Sequence, residues 1–322
     1  MLSKFLNTRT LLILLVVLVG IYFIATLTKK EDRTFQSQIV EVDTAKITKI
    51  QIIPKINGGD EISITRSGND WNLESNGKSY KPDESSIQSI LNELVNLRTE
   101  RVAATDASKW TQFEVTDSTA TRLKVYDGDD VMADLYLGKF SYTQSPQQNQ
   151  YQRQQPKMFT HVRPNGDDKV YVVEGMIKMT IQPNLKTYRA KDLAAVDPAD
   201  ITKVSFNYPD MSFTVANENN HWMINGTPAD SAKTARFINK FRKLTSNNFI
   251  DEVQGEDGAK PYIVTLEGNN FIPIELRAIP ADSVNQFVVT SSLLPDTKFS
   301  GGKNKLFERV FVQPSEFIEE KK

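Results

Sequence analysis

Apolar residues fall along this chain in two patterns. The first is one unbroken stretch of apolar and small residues, Leu11–Leu27 (LLILLVVLVGIYFIATL), with Thr26 near its end. At 1.5 Å per residue it makes a helix about 25 Å long, and Thr10 and Thr28 bring it close to the hydrocarbon thickness of a bilayer. The second pattern is a series of short amphipathic segments that begins near Val42. Ile47-Thr48-Lys49-Ile50-Gln51-Ile52 alternates at period two, and Glu61–Thr65 and Trp71–Leu73 follow after Gly-rich turns, which predicts a strand meander. Pro82-Asp83 then signals a helix start with Asp83 as N-cap, and Ile87, Ile90, Leu91, Leu94 and Leu97 fall on one helical face.

The same order of events returns in the second half. Ile201-Thr202-Lys203-Val204 repeats Ile47-Thr48-Lys49-Ile50, Trp222 answers Trp71, and Thr234, Phe237, Ile238, Phe241 and Leu244 reproduce the helical stripe, at offsets of 154, 151 and 147. Leu123–Leu135, with its Asp127-Gly128-Asp129-Asp130 turn, matches Ile263–Glu275, and Val170-Tyr171-Val172 is matched to Val310-Phe311-Val312, both at offset 140. Landmarks in one order, with offsets that shrink through small indels, predict a tandem duplication. The copies differ in two long segments. Gln-rich Ser141–Pro156 precedes the strand Phe159–Arg163, and Ser291–Leu306 reads as a loop after the strand Gln286–Thr290. Tyr142, Tyr151 and Arg153 are the candidate partner-contact residues of the first loop.

The expected fold class is α+β: an N-terminal transmembrane helix followed by two tandem copies of a β-meander, helix and β-hairpin unit. Residues 1–28 are the tail and anchor, 29–41 a charged stalk, 42–174 the first unit, 175–197 a connecting helix and bridge, and 198–322 the second unit. Lys4 and Arg9 ahead of the apolar run make a cleavable signal peptide the competing reading. The run passes from Ala25-Thr26-Leu27 into Lys29-Lys30-Glu31-Asp32-Arg33 with no small-x-small cleavage site, which favours a retained signal-anchor whose membrane residues include Leu11, Leu15, Val19, Tyr22 and Leu27. The positive-inside bias is a near tie between Lys4 and Arg9 on one side and Lys29, Lys30 and Arg33 on the other. A short tail before a long domain favours an N-terminus inside, an inner-membrane span and the bulk of the chain in the periplasm.

Without its first 27 residues, and so without Lys4 and Arg9, the chain keeps 37 basic against 40 acidic residues, a net charge of −3. That weak, mixed charge offers no footprint for nucleic acid. The absence of cysteine excludes disulfides, thiolate metal sites and a Cys nucleophile. No Gly-x-Ser-x-Gly elbow occurs, and His161 and His221 are too isolated for a triad or a zinc ligand set, so both read as strand histidines. Asp127–Asp130 and Asn165-Gly166-Asp167-Asp168 have the carboxylates a calcium ion needs, but they read better as Gly-containing hairpin turns. Gly301-Gly302-Lys303 lacks the earlier Gly and the following Ser or Thr of a phosphate loop. Trp71 and Trp222 read as core residues under their own helices rather than sugar platforms. No cofactor is expected.

The Trp71 meander, the Ile87–Leu97 helix, Thr160-His161-Val162-Arg163, Lys169-Val170-Tyr171-Val172-Val173 and Tyr188-Arg189-Ala190-Lys191-Asp192-Leu193 together resemble a bacterial domain-of-unknown-function family, number four-three-four-zero. The likeness covers most of Ile47–Leu193 and, more faintly, the second copy. Phe113-Glu114-Val115 departs from it, since such proteins show an aromatic followed by Gly-Leu, and the departure concerns the local turn. The resemblance implies a single-pass exported protein often encoded beside ABC-type transporters of the gliding-motility kind, with no established activity and no functional residues to carry over. The expected function is therefore a non-catalytic, membrane-anchored auxiliary or scaffold subunit of an envelope transport complex. The alternative is a glycan- or peptidoglycan-binding module that uses the cleft between copies and exposed aromatics such as Tyr142, Tyr151 and Tyr208. A third reading is an acid–base enzyme with carboxylates paired in that cleft.

Overall fold

The computed structural model describes residues 15, 17, 19, 39–40, 42–55, 58–143, 156–252 and 258–319. Of the predicted anchor, Leu15 and Val19 are helical and exposed, as is Val17, while Leu11, Tyr22 and Leu27 lie outside the described residues. Among the described residues no helix is long and apolar enough to cross a membrane.

Two nine-stranded antiparallel sheets dominate the rest. The first contains β1 (Lys49–Ile53), β2 (Ile62–Ser67), β3 (Asp70–Ser75), β4 (Lys78–Tyr80), β5 (Arg98–Ala104), β6 (Thr121–Asp127), β7 (Asp130–Thr143), β8 (Lys157–Pro164) and β9 (Val170–Glu174), in the spatial order β4-β3-β2-β1-β6-β7-β8-β9-β5. A short ribbon of β10 (Asp192–Ala194) with β15 (Leu244–Thr245) precedes the second sheet. That sheet contains β11 (Ile201–Asn207), β12 (Ser212–Glu218), β13 (His221–Ile224), β14 (Thr227–Pro228), β16 (Phe249–Ile250), β17 (Tyr262–Gly268), β18 (Ile274–Pro280), β19 (Phe287–Ser291) and β20 (Leu294–Ser300), in the order β14-β13-β12-β11-β17-β18-β19-β20-β16. Strand for strand the two orders are the same, and the tandem α+β repeat is therefore present in the topology as well as in the sequence.

In each unit the helix after the meander packs on one face of its sheet. The first, α1 (Glu84–Val95), begins where the Asp83 carboxylate accepts the Ser85 and Ser86 N–H groups at 3.0 and 3.4 Å, a cap that contributes about 1 kcal/mol. Its stripe of Ile87, Ile90, Leu91 and Leu94, with Leu97 beyond, is buried against Ile50, Ile52, Ile64 and Leu123. Between the units, α2 (Ile177–Thr180) is a single turn. In the second unit, α3 (Ser231–Asn239) is capped by Asp230 and buries Thr234, Phe237 and Ile238, with Phe241 and Leu244 beyond. Trp71 and Trp222 are half-buried against their respective cores. The Asp127–Asp130 segment is a two-residue hairpin turn with Gly128 at φ 57°, as the turn reading requires.

Three expectations are corrected. The counterpart of β9 is β20, so Ser291–Leu306 is not a loop: a tight Ser292-Leu293 turn leads directly into a strand. Val310 instead closes a short helix, α4 (Leu306–Val310), with Phe311 and Val312 just beyond it. All three of these residues are buried, and a three-residue apolar run cannot distinguish strand from helix. Tyr208 is not an exposed platform. It is 6% exposed, donates its hydroxyl to the Val312 carbonyl at 2.9 Å, and sits in an aromatic nest with Phe206, Phe213 and Tyr262. Finally, the order of landmarks aligns Ser315–Lys322 with the start of the bridge at Gly175, whereas the structure matches Phe317 to Tyr188 in its middle. The Asp83 N–H donates to Tyr188 O at 2.7 Å in the first unit, and the Asp230 N–H donates to Phe317 O at 2.8 Å in the second.

The bridge divides between the two cores, with Ile177, Ile181 and Tyr188 in the first and Leu193, Ala194 and Val196 in the second. The copies differ in cover. Residues 105–120 lie over the far face of the first sheet, where Val115 and Ala120 pack with Tyr136 and Val170. Consequently β7 is buried from Leu135 through Gly138, whereas its counterpart β18 alternates buried and exposed residues and keeps one face in water.

Candidate functional site

A cleft of about 720 Å³ opens between the units. One wall is Lys78–Lys81, which the two-residue turn at Asn76 (φ 50°) and Gly77 (φ 70°) folds back onto β3. The other wall is Leu294–Lys298 of β20, with Ile250 and Asp251 following Phe249. Arg189, from the bridge, forms the floor. Its side chain is 6% exposed and reaches the Asp251 carboxylate at 2.8 Å. The guanidinium lies 4.3 Å from the Tyr80 ring centre and 4.0 Å from that of Phe249, so one ring from each unit encloses it. Lys191 pairs with Asp83 at 2.8 Å, and Lys81 Nζ donates across the cleft to the Leu293 carbonyl at 3.2 Å.

Cleft chemistry is more basic than acidic: Lys78, Lys81, Arg189 and Lys298 face Asp251 and Asp296. Both carboxylates belong to the second unit, and Asp251 is committed to Arg189, so the arrangement does not set two acids against each other from opposite copies. Burial raises the Asp83 carboxyl, but the hydrogen bonds from Lys191 and Ser85, the Lys191 charge and the Ser86 N–H outweigh it and hold the group below the usual carboxylate range.

A second polar cluster, on the far face of the first sheet, locks the covering segment in place. Arg163 is buried between Trp110 (3.8 Å) and Tyr136 (3.9 Å) and donates from Nε to Val115 O at 3.0 Å. Arg122 stacks on the same Tyr136 and grips Asp134 through two hydrogen bonds of 2.7 and 2.6 Å. His161 stacks on Phe113 at 4.6 Å and donates from Nδ1 to the Lys139 carbonyl at 3.0 Å. Burial, against that bond, lowers its pKa and keeps it neutral. Lys178 donates to Leu137 O at 3.0 Å, and burial lowers its pKa too. Lys139 and Leu137 flank the bulge at Gly138, so His161 and Lys178 satisfy carbonyls that the interrupted ladder leaves over. Glu114 takes φ 58°, a left-handed conformation glycine adopts freely, which explains why a Gly belongs at this turn. Burial and the Asp167 hydrogen bond push the Tyr171 phenol up to about 12.

Of the loop residues singled out from the sequence, Tyr142 does not line the cleft. Tyr142 is 62% exposed near the end of β7, opposite Met158, while Tyr151 and Arg153 lie outside the described residues. His221 is exposed and bonds its own loop at Asn219 O, far in sequence from His161 and in the other unit. Arg189 was missed as a functional residue, although it sits in a hexapeptide that carries the family resemblance. Its signal is a lone arginine between the buried Tyr188 and Leu193. Among the described residues no group of three His, Cys, Asp or Glu is placed to hold a metal ion.

Neither a curated protein nor a solved structure matches the chain. A family match does cover it, over residues 15–109 and 75–265, and so takes in the meander, α1, the Arg189 floor and about half of the second unit. The chain belongs to the family described as Domain of unknown function (DUF4340).

Proposed function

We propose that this chain is a non-catalytic, single-pass subunit that serves as the extracytoplasmic scaffold of an ABC-type envelope transport complex of the gliding-motility kind. In this reading Leu11–Leu27 crosses the inner membrane with the N-terminus inside, and both β units stand in the periplasm. The observation that carries the reading is the joint at Arg189. A scaffold must hold two surfaces at a fixed separation, and a buried guanidinium enclosed by a ring from each unit and ion-paired across the joint resists hinge motion. The 25 Å apolar run ahead of the units supports the tether.

Cross-linking in cells followed by affinity purification in mild detergent tests this reading. Recovery of transporter subunits with the full-length chain is the expected outcome, and a chain that emerges alone overturns it. Replacing Leu11–Leu27 with an unrelated single-pass helix separates tether from contact: a complex that survives the swap is held by the β units.

A further inference from the structure

One wall of the inter-unit cleft is a strand edge. Successive strand residues point to opposite faces, so a cavity lined by four consecutive residues, Lys78–Lys81, faces the edge of the strand. That strand, β4, is outermost in its sheet. The two-residue turn makes Ser75 and Lys78 the hydrogen-bonded pair that closes the hairpin, so Lys78 and Tyr80 direct their backbone groups to β3 and Ser79 directs its N–H and C=O outward. Lys81 shares the parity of Ser79, and its carbonyl accepts the Ala190 N–H at 2.8 Å on that outer side. Across the cleft, Ser291 pairs with Leu294 and Val289 with Phe299, which leaves Pro295–Lys298 opposite the single residue Thr290 and bulged out of the β19–β20 ladder, while Lys298 pairs with Ile250 of β16 on the other side.

The second unit supplies a comparison. Counted from its Asn225-Gly226 turn, the position of Ser79 is held by Pro228, which has no N–H to offer and protects an edge from strand addition. One copy of the repeat thus blocks this edge, and the other presents it to a cleft in which basic side chains outnumber acidic ones.

We propose that this cleft binds an extended acidic peptide segment of a partner protein, which adds as a strand to the outer edge of β4. The inference rests on the scaffold reading and names how that scaffold would hold a partner. With the Lys81 carbonyl taken by Ala190, the free edge is Lys78–Tyr80, which spans about 10 Å, so the segment engaged is three to five residues long. Its backbone bonds Ser79, while its carboxylates face Lys78 and Lys81, the latter an ammonium that donates to the uncharged Leu293 carbonyl.

The test uses the full-length chain in mild detergent and fluorescence anisotropy with a blocked, labelled peptide of consecutive Glu residues, which offers carboxylates on both faces of the strand, its all-Lys counterpart, and a labelled chito-oligosaccharide. The Glu peptide is expected to bind about tenfold more tightly than the Lys peptide, a difference of about 1.4 kcal/mol. Ser79→Pro, a substitution the second unit already accommodates, is expected to weaken binding about tenfold with an unchanged melting temperature, and the Lys78→Glu, Lys81→Glu pair to reverse the charge preference. Equal binding by wild type and Ser79→Pro, equal binding of the two peptides, or displacement of the peptide by the oligosaccharide overturns the proposal. Wild type that binds no peptide yet brings down transporter subunits rules out the cleft and leaves the scaffold standing. Wild type that shows the expected peptide pattern yet is recovered alone rules out the scaffold and leaves the cleft.

Discussion

Replacing Arg189 by alanine tests whether the two units behave as one body, because its partners straddle the joint. Tyr80 lies in the first unit, and Phe249 and Asp251 in the second. A hydrogen bond to a charged group contributes about 1.5–3 kcal/mol. Asp251 is 45% exposed and rehydrates when its partner leaves, which sets the loss at the low end, about 1.5 kcal/mol. Two ring contacts to a guanidinium that is 6% exposed add about 1 kcal/mol each. The expected cost is therefore about 3–4 kcal/mol, concentrated at the interface between cores rather than within either. Arg189→Lys keeps the charge but loses the planar stack and the fork, and should cost about half as much. Urea unfolding followed by both tryptophan fluorescence and circular dichroism reads the result. The variant should replace one cooperative transition by two, with the bridge more open to proteolysis, and a double-mutant cycle with Phe249→Leu should show about 1 kcal/mol of coupling. A variant that unfolds in a single transition at the wild-type midpoint would refute the reasoning.

Two further substitutions probe the turns that set the site. Asp83→Asn keeps a capping oxygen but loses the Lys191 ion pair, and should be about 1 kcal/mol less stable than wild type at pH 7. Since the folded carboxyl lies below its unfolded value, its contribution is full above the unfolded pKa of about 4 and is lost as pH falls through the folded pKa; the gap should narrow progressively as pH falls below about 4, and urea midpoints whose separation does not change with acidification contradict the assignment. Glu114→Gly removes a side chain from a left-handed backbone position and should stabilise the protein by about 0.5–1 kcal/mol in thermal unfolding, against the usual destabilising effect of a new glycine.

The local grammar of the fold was legible in the sequence, and the non-local part was not. Ile47–Ile52 and Ile87–Leu97 announced a strand and a helix because their periods differ and a cap separates them. The duplication was legible for the same reason, since each copy carries both periods in one order. The return of β5 to the far edge beside β9, and of β16 beside β20, leaves no local trace: β5 is separated from β9 by three intervening strands, and its burial is irregular through two register shifts. Val310-Phe311-Val312 was matched to a strand because three apolar residues have no measurable period. Arg189 was invisible as a site because its meaning depends on Phe249, sixty residues later, and on Tyr80, more than a hundred earlier. Tyr142 stood out in sequence as an exposed aromatic, and exposed it is, but it lies outside the cleft.

A tandem duplication begins with two equivalent outer edges and two equivalent bare sheet faces, and both invite self-association. In this chain the liabilities have been resolved differently in each copy. The first unit covers its far face with residues 105–120, pinned by Arg163 between Trp110 and Tyr136, and leaves the edge of β4 open. The second leaves its far face wet, with Glu275 and Arg277 exposed along β18, and ends its outer edge with Pro228. Proline at β14 and charge on β18 are both devices that prevent strand or sheet addition. The edge of β4 carries the charge of Lys78 but no proline, and it lies in a recess that the second unit walls. Protection by a neighbouring unit excludes another bulky sheet while admitting a single narrow strand, so the packing of the two copies, more than either copy alone, determines what can reach Ser79.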